Sequence, residues 1–379
     1  MRRLTAIFAL IAAAGVSACG SPIEVYTGCT PANGFTPICG PHNPEDLVVV
    51  PSGEWILFGE FRGLSGPGVG AGAIGAVHVV NRTIMRLYPS PAAGRPDGAG
   101  AGSPPGDPTC PGPPDPNRFS LHGLSLAAFA GEPLRLLAVN HGGREAIEIF
   151  GVRADASPPQ LTWQGCVPLP DGLEGNDVAA LPGGGLLVTA YSSNHAWTAV
   201  AVLLRLTNGA VHEWLPGAGW REVPGTRAAL PNGILVSADG ATLYVAASRG
   251  DEVFRVQRQG DPARTSVPVA APDNLTWTAD GDILAASLRT PLMSVMRTCR
   301  DLATGACGGT SAVVRVRPQP LAATDLLVHT GAPLGAFTAA IAVGNELFVG
   351  TAFGDRLAVT SLPTGDADGA RRAKPGRVP

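Results

Sequence analysis

Five polar side chains recur at a nearly constant distance from a turn, and their types suit the binding of a cation. The distance to the turn glycine is eight residues in four cases and nine in the fifth: Glu45, Asn176, Asn232 and Asp273, and then His122. Carboxylate and amide oxygens dominate this set, and no thiolate belongs to it. Ca²⁺ takes six to eight oxygen ligands, whereas Mg²⁺ usually keeps its waters and Zn²⁺ favours histidine and cysteine. The pattern therefore predicts a calcium site.

Each of the five donors is followed by a second polar residue or by a glycine: Asp46, Gly123, Asp177, Gly233 and Asn274. Successive side chains of a strand point to opposite sides. Asp46 and Asp177 would therefore face away from the first set, where they are suited to a second cation. A single Pro-Asn-Gly or Pro-Asp-Asn segment is typical of a turn. The recurrence at a fixed offset instead favours a ring of ligands.

The elements that would position these side chains are short β-strands in a repeat. A turn followed by an apolar strand occurs six times, with the strands at 55–58, 136–139, 186–188, 243–245, 283–285 and 347–349. Five intervals cover the 292 residues from Gly53 to Asn345, which is about 58 residues per repeat. Further strand-like runs lie between the markers, among them Val202–Leu206, and no useful helical periodicity follows residue 18.

A repeat of this length fits four strands, so we predict an all-β fold, a six-bladed β-propeller with four-stranded blades at 41–363. An ordinary β-sandwich or two β domains is the alternative. Equivalent positions of successive blades lie on a ring around the propeller axis, so the recurring donors should converge at one end of the central tunnel. The sixth equivalent position is Phe337, which is not a donor.

The composition narrows the class of partner. Of 379 residues 45% are hydrophobic, enough for a substantial core, and the net charge is −3. A nucleic-acid partner would require a basic face, so we expect none. We expect a small-molecule ligand instead.

The N-terminus has the features of an export signal. Arg2 and Arg3 precede the apolar run Leu4–Val16, which is too short to span a bilayer. The segment ending in Cys19 resembles the lipobox of bacterial lipoproteins, and cleavage by an ordinary signal peptidase after Ala18 is the alternative. We expect a signal peptide at 1–18, diacylation of Cys19, a linker at 19–40 and a disordered tail at 364–379. The lipid would be the only contact with the membrane, and Gly20 does not resemble the residue that retains lipoproteins at the inner membrane. The expected location is the periplasmic side of a bacterial outer membrane.

Cys19 accounts for the odd number of cysteines. The other six allow fifteen pairings, and the short separations within Cys29/Cys39 and Cys299/Cys307 favour these two disulfides. Cys110 and Cys166 would then form the third. Zinc binding is disfavoured because there is no CxxC motif and no histidine at finger spacing.

Six segments, in order along the chain, resemble the paraoxonase/arylesterase lactonases. They begin at Pro44-Glu45-Asp46, Phe119-Ser120-Leu121-His122, Val139-Asn140-His141, Gly175-Asn176-Asp177, Asn232-Gly233 and Pro272-Asp273-Asn274. More broadly, they resemble the propellers of the gluconolactonase, regucalcin and strictosidine-synthase-like superfamily. The resemblance covers about 39–362.

The resemblance implies a role for each matching residue. A catalytic Ca²⁺ would be held by Glu45, Asn176, Asn232, Asp273 and Asn274, and a structural Ca²⁺ by Asp46, Asp177 and the main-chain carbonyl of Leu124. His122 and His141 match the histidines proposed as general base and its helper. The implied activity is calcium-dependent hydrolysis of lactones, with aryl esters as further substrates. Paraoxonases also join the two ends of the propeller by a disulfide, and because the last cysteine here is Cys307, ring closure must rely on strand pairing.

Two alternatives to a lactonase remain. One is a calcium-stabilised binding or scaffold lipoprotein without turnover. The other is a strictosidine-synthase-like enzyme, which would be insensitive to chelation of calcium.

Overall fold

Six four-stranded antiparallel sheets make up most of the described chain. The computed structural model describes residues 23–63, 70–89, 105–129 and 131–363. Two short strands, β1 (Val25–Tyr26) and β2 (Thr36–Cys39), come first. Blade 1 contains β3 (Pro44–Val49), β4 (Trp55–Glu60), β5 (Ile74–His78) and β6 (Ile84–Tyr88). Blade 2 contains β7 (Leu121–Ala127), β8 (Arg135–Asn140), β9 (Ala146–Arg153) and β10 (Gln160–Pro168).

The remaining blades follow in chain order. Blade 3 contains β11 (Leu173–Ala180), β12 (Leu186–Ser192), β13 (Gly209–Leu215) and β14 (Gly219–Glu222), and blade 4 contains β15 (Pro231–Val236), β16 (Thr242–Ala247), β17 (Glu252–Gln257) and β18 (Arg264–Pro268). Blade 5 contains β19 (Pro272–Trp277), β20 (Ile283–Leu288), β22 (Thr310–Pro318) and β23 (Leu321–Thr330), and the short strand β21 (Ala306–Cys307) lies between β20 and β22 in the chain without joining this sheet. Blade 6 contains β24 (Ala339–Val343), β25 (Glu346–Gly350) and β26 (Arg356–Ser361). The predicted six-bladed β-propeller is confirmed.

Strand pairing closes the ring. The outer strand of blade 6 is β2, which pairs antiparallel with β26 in the register Thr36↔Val359 to Cys39↔Arg356. The chain thus returns to the blade where it began, as expected in the absence of a terminal disulfide. The propeller therefore begins at Thr36, before the boundary predicted at residue 41, because the segment assigned to a linker supplies this strand.

The six repeated apolar segments are the second strands of the six blades, so they pack between the innermost strand and the third strand. Their side chains are almost fully buried, as in Leu57 and Leu243. Turns with positive-φ glycines precede the second strands, including Gly53, Gly240 and Gly281. Glycine adopts this backbone conformation without steric cost. The turn signals in the sequence thus mark the blades.

Two helices depart from the sequence prediction. Helix α1 (His195–Leu204) lies between β12 and β13, and α2 (Leu292–Cys299) follows β20. The run Val202–Leu206 was expected to be a strand, and this was wrong: its first residues end α1 instead. The side chain of Asn194 caps α1 by accepting a hydrogen bond from the Trp197 amide at 3.1 Å. None of the helices among the described residues is long and apolar enough to span a membrane.

The three expected disulfides are present: Cys29–Cys39, Cys110–Cys166 and Cys299–Cys307. The last one joins the end of α2 to β21, which pairs with β1. The predictions of a signal peptide at 1–18, of diacylation at Cys19 and of a tail at 364–379 concern residues outside the described ones.

Candidate metal centre

The innermost strands of five blades carry an irregularity at the predicted ligands. The register shifts between Pro44 and Leu47 in β3, and at the equivalent places in β7, β11, β15 and β19. Each shift spans one of the five residue pairs identified in the sequence. A β-bulge redirects side chains and often adjoins a functional site. In β24 the register is continuous, which agrees with the absence of a donor in that repeat.

Two glycines permit the innermost strands to approach each other. A Cβ atom at Gly123 would lie 2.3 Å from Oδ1 of Asp177, and one at Gly233 would lie 2.5 Å from the carbonyl oxygen of Asp273. No side chain fits at such distances. The glycines that follow His122 and Asn232 therefore have a packing role, which brings neighbouring donors together.

The predicted ligands converge on one cavity of about 750 Å³. Its lining includes Glu45, His122, Asn176, Asn232 and Asp273. Asn274 lies beneath this surface, where its Nδ2 donates to Oε1 of Glu45 at 2.9 Å. Thr338 donates to the carbonyl oxygen of Glu45 at 2.7 Å, so the backbone of this ligand is held from blade 6 as well.

Four buried oxygens in this set lack a hydrogen-bond partner among the described residues: Oε2 of Glu45 and the Oδ1 atoms of Asn176, Asn232 and Asn274. A buried polar atom without a partner is costly, so each one requires an explanation. All four belong to the predicted catalytic calcium set. The described residues contain no metal-binding group of three or more His, Cys, Asp or Glu side chains. A cation here would therefore depend on the asparagines as much as on the carboxylates, and the oxygen set fits Ca²⁺.

The carboxylates at the cavity destabilise one another's charge. Burial, followed by the charges of Asp273, Asp46 and Asp177, holds the pKa of Glu45 well above its usual range. Burial raises the pKa of Asp273 to about 7. In its charged form, each carboxylate would be poorly solvated and would be repelled by the other carboxylates nearby. A bound cation would compensate both the lost solvation and the repulsion.

Asp46 and Asp177, the candidate structural ligands, already have protein partners. Both oxygens of Asp46 accept backbone N–H groups, from Leu47 at 2.8 Å and from Leu124 at 2.7 Å. Asp177 accepts in the same way from Val178 at 2.7 Å and Ile234 at 2.8 Å. Each carboxylate thus joins its own strand to the innermost strand of the next blade. The second calcium site stays a prediction, since these contacts satisfy the carboxylates without it.

The two predicted histidines are in direct contact. Nδ1 of His122 lies 3.0 Å from Nε2 of His141, and Nε2 of His122 lies 3.4 Å from Nδ2 of Asn176 and 3.8 Å from Oε1 of Glu45. Burial, and then the nearby His141, hold the pKa of His122 well below its usual range. The lowered pKa favours the neutral ring, which is the form that can accept a proton, and His122 borders the cavity.

Three polar residues near the site are not among those predicted from the sequence. Glu145 lies 2.8 Å from Nδ1 of His141, and its only sequence signal is the four-residue separation from that histidine. Tyr191 lines the cavity as well. His195 also lines the cavity, and its Nε2 lies 2.6 Å from Oε1 of the buried Glu174. The position of His195 depends on α1, which the sequence analysis did not predict.

Comparisons with solved structures show the same fold at low sequence identity. A luciferin-regenerating enzyme is 13% identical to this chain, with a TM-score of 0.51, and the alignment covers 86% of this chain and 94% of the enzyme's chain. A gluconolactonase from Xanthomonas campestris is 16% identical with a TM-score of 0.50, over 90% and 97% respectively. A protein described as a putative gluconolactonase is 14% identical with a TM-score of 0.50, over 89% and 97%. The sequence matches no protein-family model and no curated protein.

Proposed function

We propose that the protein is a calcium-dependent hydrolase that opens lactones, with aryl esters as further substrates. The observation that carries the proposal is the group of four unpartnered buried oxygens, two of them on residues that lie within 4 Å of His122. Oxygen ligands and a neutral histidine next to one cavity are the parts needed for metal-assisted attack of water on a carbonyl carbon. Gluconolactonase is also the name of the Xanthomonas protein, although its likeness to this chain shows the fold alone.

The cation and the histidine have separate tasks. When bound, Ca²⁺ would polarise the lactone carbonyl and counter the charge that develops on its oxygen. Glu45, Asp273 and the three asparagines would hold it.

In the reaction, His122 transfers one proton from water to the ring oxygen of the lactone. Nε2 of His122 accepts a proton from water as the water oxygen bonds to the carbonyl carbon. The ring C–O bond then breaks, and its electron pair goes to the ring oxygen. That oxygen receives the proton from His122, which leaves a hydroxy acid as the product.

The decisive experiment measures hydrolysis with and without calcium. Purified protein is assayed on γ- and δ-lactones, N-acyl-homoserine lactones and phenyl acetate, first with calcium and then after chelation. We expect turnover of at least one lactone, lost on chelation and restored by added calcium. A folded, calcium-loaded protein that hydrolyses none of these esters would show that the proposal is wrong and would leave the binding lipoprotein. Turnover of other substrates that is insensitive to chelation would indicate the strictosidine-synthase-like alternative.

The variant His122→Gln separates chemistry from metal binding. We expect kcat to fall by about 10²–10⁴-fold, the usual contribution of a general base. Calcium affinity, measured by calorimetry, should change by no more than about twofold because His122 is not a proposed ligand. His212→Gln in β13 serves as the control, since this partly buried histidine does not line the cavity. A full rate in His122→Gln would assign the base elsewhere.

We also propose that the protein is a lipoprotein of the bacterial cell envelope, anchored through Cys19. Support comes from the lipobox-like segment ending at that residue and from three disulfides, which persist in oxidising compartments. Labelled palmitate should be incorporated into the wild type and not into Cys19→Ser. Equal labelling of both proteins would contradict lipidation at Cys19.

A further inference from the structure

A carboxylate outside the predicted set lies directly behind the histidine pair. Both oxygens of Glu145 are close to Nδ1 of His141, at 2.8 and 2.9 Å. The imidazole of His141 is fully buried, and the side chain of Glu145 is 16% exposed. His141 in turn lies 3.0 Å from His122. A continuous row of contacts therefore leads from Glu145 through two rings to the cavity.

The chemistry of the partners assigns the hydrogens along this row. A carboxylate only accepts, so Nδ1 of His141 donates to Glu145 and carries the ring proton. Nε2 of His141 is then free to accept from Nδ1 of His122.

The other end of the row requires the same arrangement. The side-chain amide of Asn176 approaches Nε2 of His122 with its Nδ2, a donor, while its Oδ1 belongs to the unpartnered oxygens of the metal centre. Nε2 of His122 therefore accepts and has a lone pair on the cavity side. All the ring nitrogens of the row have consistent roles only in this tautomer.

We propose that Glu145 is a positioning residue that holds His141 and His122 in the tautomer whose unprotonated Nε2 faces the cavity. The inference rests on the proposed function, because it assigns Glu145 to the activation of water by His122. When His122 accepts a proton, its Nδ1–H remains bonded to His141, and the carboxylate stabilises the positive charge through that ring. A buried carboxylate fixes the tautomer of the histidine in a Ser-His-Asp triad in the same way.

A purely structural role for Glu145 makes different predictions. Its Oε2 lies 3.4 Å from the amide nitrogen of Gly175, and its carbonyl oxygen accepts from the amide of Leu169 at 3.0 Å. If these contacts were its whole role, a substitution would change stability and leave the ring protons unaffected. Glu148 provides the matched control, since its buried carboxylate accepts from Arg144, the Trp163 indole and the side chain of Asn140, at 2.8, 2.9 and 3.1 Å, instead of from a histidine ring.

The experiment uses Glu145→Leu, Glu145→Gln and the control Glu148→Gln. Leucine removes the acceptor, and glutamine keeps an acceptor oxygen without the charge. Protein with ¹⁵N-labelled histidine reports the protonation of each ring nitrogen by NMR, without calcium or substrate. Lactone hydrolysis then gives kcat and KM, and calorimetry gives calcium affinity.

In the wild type we expect protonated Nδ1 and unprotonated Nε2 at both rings. Glu145→Leu should lose this tautomer preference. Its kcat should fall by about 10–100-fold, as is common for residues that orient a catalytic group. Its KM and calcium affinity should stay within about twofold of the wild-type values. Glu145→Gln should keep the tautomer and lose less. Glu148→Gln should lower the melting temperature and leave the tautomers unchanged.

Wild-type ring signals and wild-type kcat in Glu145→Leu would overturn the inference. A loss of rate that only follows the folded fraction, with unchanged ring signals, would also overturn it. If Glu145→Leu does not fold, the decisive result is that for Glu145→Gln, where an Nε2–H tautomer at His141 contradicts the proposal and a retained tautomer with lower kcat supports it. If the wild type hydrolyses no ester, the proposed function fails, and the NMR data still test the row of hydrogen bonds.

Discussion

Calcium is expected to stabilise the fold more at about pH 7 than at about pH 5, because the ligand carboxylates bind protons when no cation is present. Burial raises the pKa of Asp273 from 3.8 to about 7. Between these values the folded, calcium-free protein keeps a proton that the unfolded chain has lost. The resulting stability is complete below about pH 4 and is lost as the pH rises through 7.

The size of the effect follows from this proton. A difference of one bound proton changes the free energy of unfolding by about 1.4 kcal/mol per pH unit, and the difference falls to half a proton at pH 7, so Asp273 alone costs about 2 kcal/mol between pH 5 and pH 7. At roughly 2 °C per kcal/mol for a large domain, the melting temperature of calcium-free protein should fall by about 4–5 °C between these pH values. Glu45, whose pKa is also raised, mainly by burial, adds to the fall. Bound calcium replaces these protons, so the calcium-loaded protein does not lose this stability as the pH rises.

The assay is calorimetric melting at about pH 5, 6 and 7, with excess calcium and with chelator. The increase in melting temperature on adding calcium is compared at the three pH values. Histidines away from the cavity contribute equally with and without calcium, so their contribution to this increase cancels. His212 and His329 are examples, and burial lowers the pKa of each. Their contribution falls as the pH decreases below about 6.5, in both conditions.

Two variants make the interpretation specific. Asp273→Asn should nearly abolish the response to calcium and reduce the pH dependence of the calcium-free protein. Asp239→Asn, in an exposed turn, should behave like the wild type. A calcium response that is equal at the two ends of the pH range, or larger at pH 5, would show that Asp273 does not exchange a proton for calcium.

Three further predictions concern the scaffold. Gly233→Ala places a Cβ 2.5 Å from the carbonyl oxygen of Asp273, so the free energy of unfolding, measured in urea, should fall by about 1–3 kcal/mol. An unchanged midpoint of the urea transition would contradict the close approach of the strands. Ile38→Asp introduces a charge at a 5% exposed position of β2, the strand that closes the ring. The free energy of unfolding should fall by roughly 2–7 kcal/mol in this variant and change little in Ile38→Val. Equal stabilities of the two variants would show that β2 does not close the ring. Replacing Cys29 and Cys39 by serine opens a loop with a sequence separation of 10, for an expected loss of about 3 kcal/mol in the free energy of unfolding, and a loss near zero would contradict the loop-entropy argument.

Much of the propeller could be predicted because its signals are local. A turn glycine followed by an apolar strand occurs within about ten residues, and six copies mark the six blades. The donors precede the turns at fixed distances, so Glu45, Asn176, Asn232 and Asp273 could be assigned to one end of the tunnel, and the structure brings them to one cavity. The linker assignment failed at β2, because its partner β26 lies more than three hundred residues later in the chain.

The helices show a different limit of sequence patterns. The end of α1 contains valine and leucine, which also suit a strand, whereas the alanines of the segment and the cap formed by Asn194 favour a helix. That helix begins with His195, which lines the cavity. A chemically relevant residue was therefore hidden by an incorrect assignment of secondary structure.

The number of blades, the types of donor and their order around the ring can be derived from the sequence. The folded structure is needed to see which oxygens lack partners, that Asp46 and Asp177 join neighbouring strands, and that Glu145 lies behind His141. Turn and strand preferences act between residues close in the chain, so a sequence pattern contains them. The hydrogen-bond partners of a buried atom come instead from whichever strands pack around it, and those strands are distant in sequence.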